Sequence, residues 1–312
     1  MRLSQIYRAA VGLALVLAGC APDGLGKARP NFHVIGHHGA PNLVPENTLP
    51  SFRTALSLGA NALEADVCLT RDNVLVLFHD RDPDDSIALI RQAGGEGLTY
   101  IPSVPAVGSE WRRPVEQLTL SELRAHYGYQ VFGGSELPGV EIPTLEQFLD
   151  MVRSEPALTA VYLDFKLLPE QLGAIVPWVF ALGSDPTLAR VRFFLLSVHS
   201  EIVVPLEAER VRTGFDSPRV VHDSEEPSAL DETLADGVRD VSVGFTPNRT
   251  WSGFLSETAD AVRAREGGEV DSVMAWTIDR DTELAELIYY SVDGIITNDV
   301  ALLRSEWERT LH

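Results

Sequence analysis

The segment Ala62–Val67, with the sequence ALEADV, is a short apolar run that carries two carboxylates two residues apart. Alternate residues of a strand point to the same face, so this spacing predicts that Glu64 and Asp66 lie side by side. The apolar run His33–His38 precedes the segment, and a helix-like stretch, Leu49–Leu58, lies between the two. A strand, a helix and a second strand in this order form the unit from which parallel sheets are built.

The same unit recurs along the chain. Further strand-like runs are Val74–Phe78, Ala160–Phe165, Val191–Val198, Arg219–His222, Val241–Phe245, Val273–Ile278 and Gly294–Thr297. Further helix-like stretches are Ser121–Tyr127, Leu145–Arg153, Glu170–Ala181, Glu201–Glu209, Phe254–Arg265, Thr282–Tyr290 and Val300–Arg309. Roughly eight strands that alternate with helices predict an α/β fold, a closed TIM-type (β/α)8 barrel. An open, doubly wound sheet is the alternative, because the same alternation produces it.

One region lacks this alternation. Residues 81–115 contain acidic residues around Pro83 and a cluster of glycines, Gly94, Gly95 and Gly97, but no clear period. Long segments without a period inside a compact domain are usually disordered or form functional loops. We therefore predict an insertion at about 81–115, after the strand that leads to His79, as a loop or small subdomain beside the mouth of the barrel.

The composition limits the classes of partner. The chain has 312 residues, of which 45% are hydrophobic and 22% are charged, and its formal net charge is −20. These proportions are those of a globular protein with a sizeable core. The negative charge argues against a nucleic-acid partner and against electrostatic binding to anionic membranes. To bind an anion, such a chain needs local positive charge, and Lys166 is one of only two lysines, the other being Lys27.

The N-terminus has the features of a bacterial lipoprotein signal. Arg2 and Arg8 precede an apolar run, Ala9–Ala18, that is too short to span a bilayer. The sequence LAGC at 17–20 resembles a lipoprotein box, in which Cys20 is lipidated and becomes the first mature residue. A plain secretory signal with an incidental cysteine is the alternative.

This interpretation gives the domain plan. We expect a signal peptide at 1–19, a lipidated tether at 20–31 and the barrel at 32–312. The protein would be exported and anchored in a membrane through Cys20, on the periplasmic side or at the cell surface. Cys68 would then be left without a disulfide partner, and its place in an apolar run predicts a buried strand residue.

Polar residues stand at the ends of several predicted strands. They are His37, His38, Glu64, Asp66, His79, Asp80, Asp164 and Lys166. Barrel enzymes place their chemistry at the carboxyl ends of the strands. Adjacent carboxylates repel one another unless a cation lies between them, and Mg²⁺ or Ca²⁺ suits an oxygen-only site. Each residue alone also fits a structural role or a surface ion pair, but their joint occurrence favours a catalytic site.

These residues lie in motifs that resemble the signature of the glycerophosphodiester phosphodiesterase family. The matching stretches are HHG at 37–39, PENT at 45–48, EADV at 64–67 and HD at 79–80. DFK at 164–166 looks like the family's acidic-x-Lys motif, and IPTL at 142–145, WT at 276–277 and VDGIIT at 292–297 resemble its later landmarks. The resemblance runs from about Val34 to Asn298.

The resemblance implies a TIM-type barrel that binds one divalent cation, Mg²⁺ or Ca²⁺. The implied ligands are Glu64, Asp66 and Asp164, and His37 and His79 would be the general acid and base. Imidazole titrates near neutrality, so one histidine can accept a proton while the other donates one. The residues expected to contact the phosphate or the rest of the substrate are His38, Lys166, Glu46 and Trp276.

Two positions depart from the family pattern. His38 stands where the family usually has Arg, which would give a permanent bidentate phosphate contact. Asp164 stands where Glu is usual, and it resembles in this the sphingomyelinase D group. Asp also binds hard cations. The departures therefore bear on the substrate more than on the class of reaction.

The implied reaction is hydrolysis of glycerophosphodiesters to glycerol 3-phosphate and an alcohol. A lysophospholipase D or sphingomyelinase D-like activity is the second hypothesis, with a lysophospholipid as substrate. For that activity Tyr100, Ile101, Val104 and Trp111 of the insertion would face lipid, although they equally fit the core of a lid. A catalytically inactive, phosphate-binding lipoprotein is the alternative outside the enzymes. The sequence leaves the oligomeric state open.

Overall fold

The computed structural model describes Arg29 and residues 31–311. The predicted signal peptide at 1–19, the lipidation site Cys20 and most of the tether at 20–31 lie outside the described residues. Across the described ranges, no helix is both long enough and apolar enough to cross a membrane.

Eight parallel strands of the described region close into a barrel. In chain order, all strands are β1 His33–Gly36, β2 Ala62–Leu69, β3 Leu75–Leu77, β4 Tyr100–Ser103, β5 Gly128–Val131, β6 Ala160–Phe165, β7 Arg192–Ser197, β8 Arg219–Ser224, β9 Asp240–Gly244, β10 Ser272–Trp276 and β11 Gly294–Thr297. Around the barrel the order is β1, β2, β6, β7, β8, β9, β10 and β11. Because β1 pairs in parallel with both β2 and β11, the TIM-type (β/α)8 barrel is confirmed and the open sheet is wrong.

The helices that follow the barrel strands cover its outside. In chain order, the helices are α1 Leu49–Ser57, α2 Ser86–Gln92, α3 Leu120–His126, α4 Leu145–Ser154, α5 Leu172–Ala181, α6 Ser200–Thr213, α7 Ala229–Ala235, α8 Trp251–Glu266, α9 Asp281–Tyr289 and α10 Val300–Thr310. The start of α4 is a reciprocal capping box: the side chain of Thr144 accepts the Gln147 N–H, and the side chain of Gln147 accepts the Thr144 N–H. Such a box satisfies two donors that the first turn of a helix leaves free.

The core has two layers. The larger lies between the strands and the helices and includes Val34, Leu63, Phe148 and Leu287. The smaller fills the inside of the barrel with apolar side chains, namely Ile35, Ala62, Ala160, Tyr162, Phe194, Leu196, Val221, Met274 and Ile296. These inward-facing residues plug the barrel, so polar side chains that follow them on the same strand face must collect at its carboxyl end.

The strand that leads to His79 is not a barrel strand. The sequence predicts His79 at the carboxyl end of a further parallel strand, but β3 runs antiparallel to β2, with Val67 opposite Leu77 and Leu69 opposite Leu75. β2 therefore continues past the rim, and the chain folds back through β3. The Phe78 N–H donates to the Asp66 carbonyl at 3.2 Å. This reversal carries His79 back to the rim, beside the carboxylates of β2.

The insertion is a small subdomain that extends past Val115. It contains α2, β4, α3 and β5, and β4 pairs antiparallel with β5, Tyr100 lying opposite Val131. The predicted boundary of about 81–115 is therefore too short, because the partner strand of β4 comes after it in the chain. The subdomain packs on the outer end of β2 and β3 through a core of its own, which includes Cys68, Phe78, Val115, Leu118, Leu123, Tyr127 and Tyr129.

Candidate active site

Six residues at the barrel mouth follow one rule of position. Each lies two residues beyond an inward-facing apolar residue, and therefore on the same face of its strand. The pairs are His37 after Ile35, Glu64 after Ala62, Asp164 after Tyr162, Asp223 after Val221, Trp276 after Met274 and Asn298 after Ile296. The alternation of the strands thus turns all of these side chains toward the axis of the barrel.

Three carboxylates converge at this end. Asp66 and Asp164 are paired in register on β2 and β6, and Glu64 lies one inward position below Asp66. All three side chains are buried, and one oxygen from each lies within 4.8 Å of the others. Buried carboxylates at this separation repel one another strongly. An oxygen-only set of this kind fits a hard divalent cation such as Mg²⁺ or Ca²⁺.

Two basic side chains, Lys166 and His38, partly balance the negative charge of these carboxylates. Lys166 Nζ forms ion pairs with Asp164 and, at 3.5 Å, with Asp66 Oδ1. Burial disfavours charge on Lys166, but Asp164 and Asp66 outweigh it and raise the pKa of the ammonium well above its ordinary value. Glu64 is compensated least, because burial and the neighbouring Asp66 and Asp164 raise its pKa well above the ordinary value. The cluster therefore has one more carboxylate than its cations neutralise, which favours a bound metal ion.

His38 lies over the carboxylates in a left-handed backbone conformation, with φ of 50°. Its Nε2 is 2.9 Å from Asp66 Oδ2, and its backbone N–H donates to Glu64 Oε2 at 3.0 Å. Gly39 follows with φ of 91°, and a Cβ at this position would lie 2.5 Å from Ser51 Oγ, so the turn requires glycine. Burial opposes protonation of His38, but Asp66 and Glu64 raise its pKa well above the ordinary value. His38 thus carries positive charge where the family usually places Arg.

His37 has a defined tautomer. Its Nδ1 is 2.8 Å from Asn298 Oδ1, while Asn298 Nδ2 donates to Asp279 Oδ2 at 2.8 Å. Because Asp279 takes the amide N–H, Asn298 offers its oxygen, and His37 must carry its proton on Nδ1. Burial and then the charge of His38 lower the pKa of His37 well below its ordinary value. Near neutral pH, His37 is therefore a neutral base with its lone pair on Nε2.

His79 is oriented by the residue next to it. Its Nδ1 lies 2.8 Å from Asp80 Oδ1, and an ionised carboxylate can only accept, so the proton is on Nδ1. The side chain of His79 is 19% exposed, whereas that of Asp80 is buried. The rings of His37 and His79 both lie next to that of His38, with ring centroids 3.7 Å and 5.4 Å from it. The structure thus brings the two predicted catalytic histidines and the three predicted metal ligands together.

Glu46 differs from the sequence-based prediction of a substrate contact. It is 2% exposed, one of its oxygens pairs with Arg91 and the other lies 3.2 Å from His38 Nδ1. Both oxygens are therefore occupied by the protein, so Glu46 supports the ring of His38 instead of facing the substrate. The adjacent Asn47 also acts within the site, since its Nδ2 donates to Asp66 Oδ2 at 2.7 Å.

Trp276 lies at the upper edge of the barrel core. Its ring packs partly buried on the inward-facing apolar residues, and its indole N–H has no hydrogen-bond partner among the described residues. On the neighbouring strand, a Cβ at Gly244 would lie 2.7 Å from the indole, so glycine makes room for it. This position fits both a wall of the substrate pocket and a core residue, the two roles that the sequence allows.

Sequence reasoning missed five polar residues of the site: Asp80 as a partner of His79, Arg91, Asp223, Asp279 and Asn298. Asp223 faces inward and accepts a hydrogen bond from Ser242, and burial together with Asp164 raises its pKa to about 7. Asp223 and Asn298 each lie two residues beyond an inward-facing apolar residue. A search of the sequence for polar residues at this spacing would have identified both. No sequence signal marks Arg91, because its place depends on how the insertion folds.

Comparison with known proteins agrees with this geometry. Two models of the glycerophosphoryl diester phosphodiesterase family match, one over residues 37–171 and the other over residues 272–301. Together the two segments take in more than half of the chain. The first contains all three carboxylates and both histidines described above, and the second contains Trp276 and Asn298.

Relatives in two bacteria match part of the chain. A glycerophosphodiester phosphodiesterase from Caldanaerobacter subterraneus is 32% identical over 128 residues, which are 41% of this chain and 43% of the relative. A putative glycerophosphodiester phosphodiesterase from Bacillus subtilis is 30% identical over 141 residues, 45% of this chain and 47% of the relative. The chain thus matches less than half the length of these two curated relatives.

Solved structures share the barrel over nearly all of the chain. A putative glycerophosphoryl diester phosphodiesterase from Silicibacter pomeroyi has a TM-score of 0.66 at 22% identity and covers 92% of this chain and 98% of its own. A phosphodiesterase from Oleispira antarctica, solved in complex with the product sn-glycerol-3-phosphate, has a TM-score of 0.59 at 16% identity, with coverages of 88% and 96%. At these identities the likeness concerns the fold. On the two family matches, supported by this shared fold, the chain belongs to the glycerophosphoryl diester phosphodiesterase family.

Proposed function

We propose that this protein hydrolyses glycerophosphodiesters to glycerol 3-phosphate and an alcohol, and that it does so with a divalent cation. The observation that carries the proposal is the placement of His37 and His79 next to His38, beside three convergent carboxylates. Such an arrangement offers a base, an acid and concentrated positive charge to one phosphodiester. Family membership and the relatives named above support the same reaction.

The lowered pKa of His37 and the Asp80 carboxylate against His79 suggest which histidine is the base and which the acid. His37 is neutral near pH 7 and has its lone pair on Nε2, so in this proposal it removes a proton from the attacking oxygen as the new P–O bond forms. His79, acting as the imidazolium with protons on both ring nitrogens, gives its Nε2 proton to the leaving alkoxide as the P–O bond to the alcohol breaks. The carboxylate of Asp80 stabilises the protonated form of His79 through Nδ1.

Positive charge would bind the phosphate. Lys166 and protonated His38 supply fixed charge at the mouth of the barrel. Both ring nitrogens of His38 already face carboxylates, Glu46 and Asp66, so His38 would act through its charge and not through a ring hydrogen bond to the phosphate. Glu64, Asp66 and Asp164 would hold the cation, Mg²⁺ or Ca²⁺, and when bound it would supply further charge against a phosphoryl oxygen. Asp223 has one oxygen engaged by Ser242, so its other oxygen is available to a hydroxyl group of the substrate.

The function is tested by release of glycerol 3-phosphate from glycerophosphocholine. Purified protein lacking residues 1–19 is assayed with Mg²⁺, with Ca²⁺ and with EDTA, beside His37→Ala and the control His126→Ala, a change at an exposed histidine of the insertion. We expect metal-dependent turnover that His37→Ala lowers by about 10² to 10⁴-fold and that His126→Ala leaves within about twofold. Absence of turnover by folded, metal-loaded protein would contradict the proposal. Lysophospholipids would then be the next substrates to assay.

We further propose that the protein is exported and held at a membrane by a lipid on Cys20. The support is the LAGC sequence at 17–20 after a short apolar run. The full-length chain and Cys20→Ser are expressed in a bacterial host with a radiolabelled fatty acid. The intact chain should take up label and sediment with membranes, and Cys20→Ser should do neither. Equal labelling of the two would show that Cys20 is not the site.

A further inference from the structure

Arg91 is a fully buried arginine that the proposed reaction does not use directly. It lies on α2 of the insertion, is 1% exposed, and binds three carboxylates with its guanidinium. Nε donates to Asp80 Oδ1 at 2.8 Å, Nη1 donates to Glu96 Oε2 at 2.7 Å, and Nη2 donates to Glu46 Oε1. A buried charge is costly unless it is paired on every side, and Arg91 meets this condition with two buried partners and one at the surface.

Both buried partners of Arg91 also bind a histidine of the active site. Asp80 Oδ1 accepts from His79 Nδ1 at 2.8 Å as well as from Arg91. Glu46 uses its second oxygen for His38 Nδ1, at 3.2 Å. One guanidinium therefore links the loop after β1, which carries His38, to the segment after β3, which carries His79. This side-chain link adds to the backbone pairing of the sheet, in which β2 pairs with both β1 and β3.

The charges of these partners depend on Arg91. Burial disfavours ionisation of Glu46, but Arg91, with help from His38, lowers its pKa to about 2. Asp80 Oδ2 is buried and has no hydrogen-bond partner among the described residues, so the charge of Asp80 is balanced at Oδ1 alone. Without Arg91, two buried carboxylates would lose their main counter-charge and would have to move, take up protons or admit water.

We propose that Arg91 is a positioning residue, through which the insertion fixes the rings of His79 and His38 for catalysis. Arg91 acts on His79 through Asp80 and on His38 through Glu46. Its planar fork can serve both carboxylates at once, whereas a lysine ammonium on a flexible stem can serve only one of them well. This inference rests on the proposed function, since it assigns a role within that reaction.

Arg112 provides a matched control, because it is the comparable structural arginine of the insertion. Its side chain is 6% exposed. It donates to Asp84 Oδ1 at 2.8 Å and to the carbonyls of Pro83 and Pro105 at 2.9 Å and 2.8 Å. None of these groups binds His38 or His79 in the described contacts. Loss of Arg112 should therefore loosen the subdomain without releasing the histidines.

The test compares Arg91→Lys, Arg91→Met, Arg112→Met and wild type for kcat, KM and thermal unfolding, with glycerophosphocholine and metal. We expect Arg91→Met to lower kcat by about 10²-fold with KM within about threefold, because a small misplacement of a catalytic group costs this much. Arg91→Lys should retain the fold and recover part of the loss. Arg112→Met should lower the unfolding temperature yet keep kcat within about threefold of wild type. A wild-type kcat in folded Arg91→Lys and Arg91→Met, or an equal loss in Arg112→Met, would overturn the proposal.

A double-mutant cycle and a spectrum separate this inference from the proposed function. If Arg91 acts through Asp80, the variant with both Arg91→Met and Asp80→Asn loses little more kcat than the worse single variant, and additive losses would contradict this. NMR of the imidazole nitrogens needs no turnover. Wild type should show His79 protonated at Nδ1, and Arg91→Met should broaden or shift that signal while Arg112→Met leaves it in place. An unchanged His79 signal in Arg91→Met would overturn the inference even if the wild type hydrolyses nothing, an outcome that bears on the proposed function alone.

Discussion

His37 Nδ1 lies 2.8 Å from Asn298 Oδ1, and this contact joins the first strand of the barrel to the last. Asn298 is itself fixed, since its backbone N–H and its Nδ2 both donate to Asp279, at 2.7 Å and 2.8 Å. The closure of the barrel between β1 and β11 therefore does more than complete the sheet. It determines which nitrogen of His37 bears the proton.

Removal of the Asn298 side chain should impair catalysis more than folding. In Asn298→Ala, His37 loses its acceptor at Nδ1 and can adopt the tautomer with the proton on Nε2, which cannot act as a base there. We expect kcat to fall by roughly 10 to 100-fold while the unfolding temperature changes by only a few degrees. Asn248→Ala, at an exposed asparagine beyond β9, serves as the control. Wild-type kcat in Asn298→Ala would show that the contact does not set the tautomer.

The pH dependence of kcat/KM should reflect the lowered pKa of His37. A base acts only when deprotonated, and burial with the nearby charge of His38 favours the deprotonated form. The acid limb of the profile should therefore lie well below the ordinary histidine value of 6.5, and activity should persist as the pH falls through 6. Asn298→Asp places a carboxylate against Nδ1, so it should move the limb to higher pH. An acid limb at or above 6.5 in the wild type would contradict the assignment of His37 as the base.

The barrel could be predicted from sequence because each of its strands is an apolar run that is buried over most of its length. Ala62–Leu69 is buried throughout, and so is Ala160–Phe165. The carboxylates of the site were predictable for the same reason, since Glu64, Asp66 and Asp164 interrupt such runs. Of the three seven-residue helices α2, α3 and α7, only α3 was predicted, because so short a segment carries little helical period.

Contacts that depend on folding between distant segments could not be predicted. His79 was placed in the site on the assumption of another parallel strand, and the structure instead brings it there by the reversal at β3. Whether two neighbouring apolar runs pair in parallel or antiparallel is not encoded in either run alone. Arg91 likewise gives no local sign of its role, because Glu46 lies 45 residues away in the chain.

Cation binding should stabilise the fold through the carboxylate cluster. Mg²⁺ or Ca²⁺ at about 100 times its dissociation constant should add about 2.7 kcal/mol to the free energy of unfolding, and Asp164→Asn should abolish most of this gain. Asp150→Asn, at an exposed helical residue, is the control. Unfolding is followed by heat in EDTA and in graded metal. An equal gain in wild type and Asp164→Asn would mean that the ion binds elsewhere.

Glu64→Gln should have opposite effects on the metal-free and metal-loaded protein. Burial, with Asp66 and Asp164, raises the pKa of Glu64, so its charged form is unfavourable in the fold near neutral pH. In EDTA at pH 7 the variant should therefore unfold at a higher temperature than wild type. It should gain much less from Mg²⁺ or Ca²⁺, because one ligand has lost its charge. A variant less stable than wild type in EDTA would show that the neighbouring cationic side chains already stabilise the charged form of Glu64.

Acid should destabilise the fold by protonating Glu46, over a pH range that the pKa of this residue sets. That pKa is about 2 in the fold against an ordinary value of 4.5, so the unfolded chain takes up the proton first. The stabilisation is therefore complete above about pH 4.5 and is lost as the pH falls toward about 2, and its size is roughly 3 kcal/mol at one pKa unit per 1.36 kcal/mol. Glu46→Gln should be less stable than wild type at pH 7, and this difference should shrink across the window, whereas Glu170→Gln, at an exposed residue, should follow wild type throughout. Denaturant unfolding at a series of pH values measures the difference directly. A constant gap between wild type and Glu46→Gln from pH 7 to pH 3 would show that Arg91 does not hold Glu46 in its ionised form.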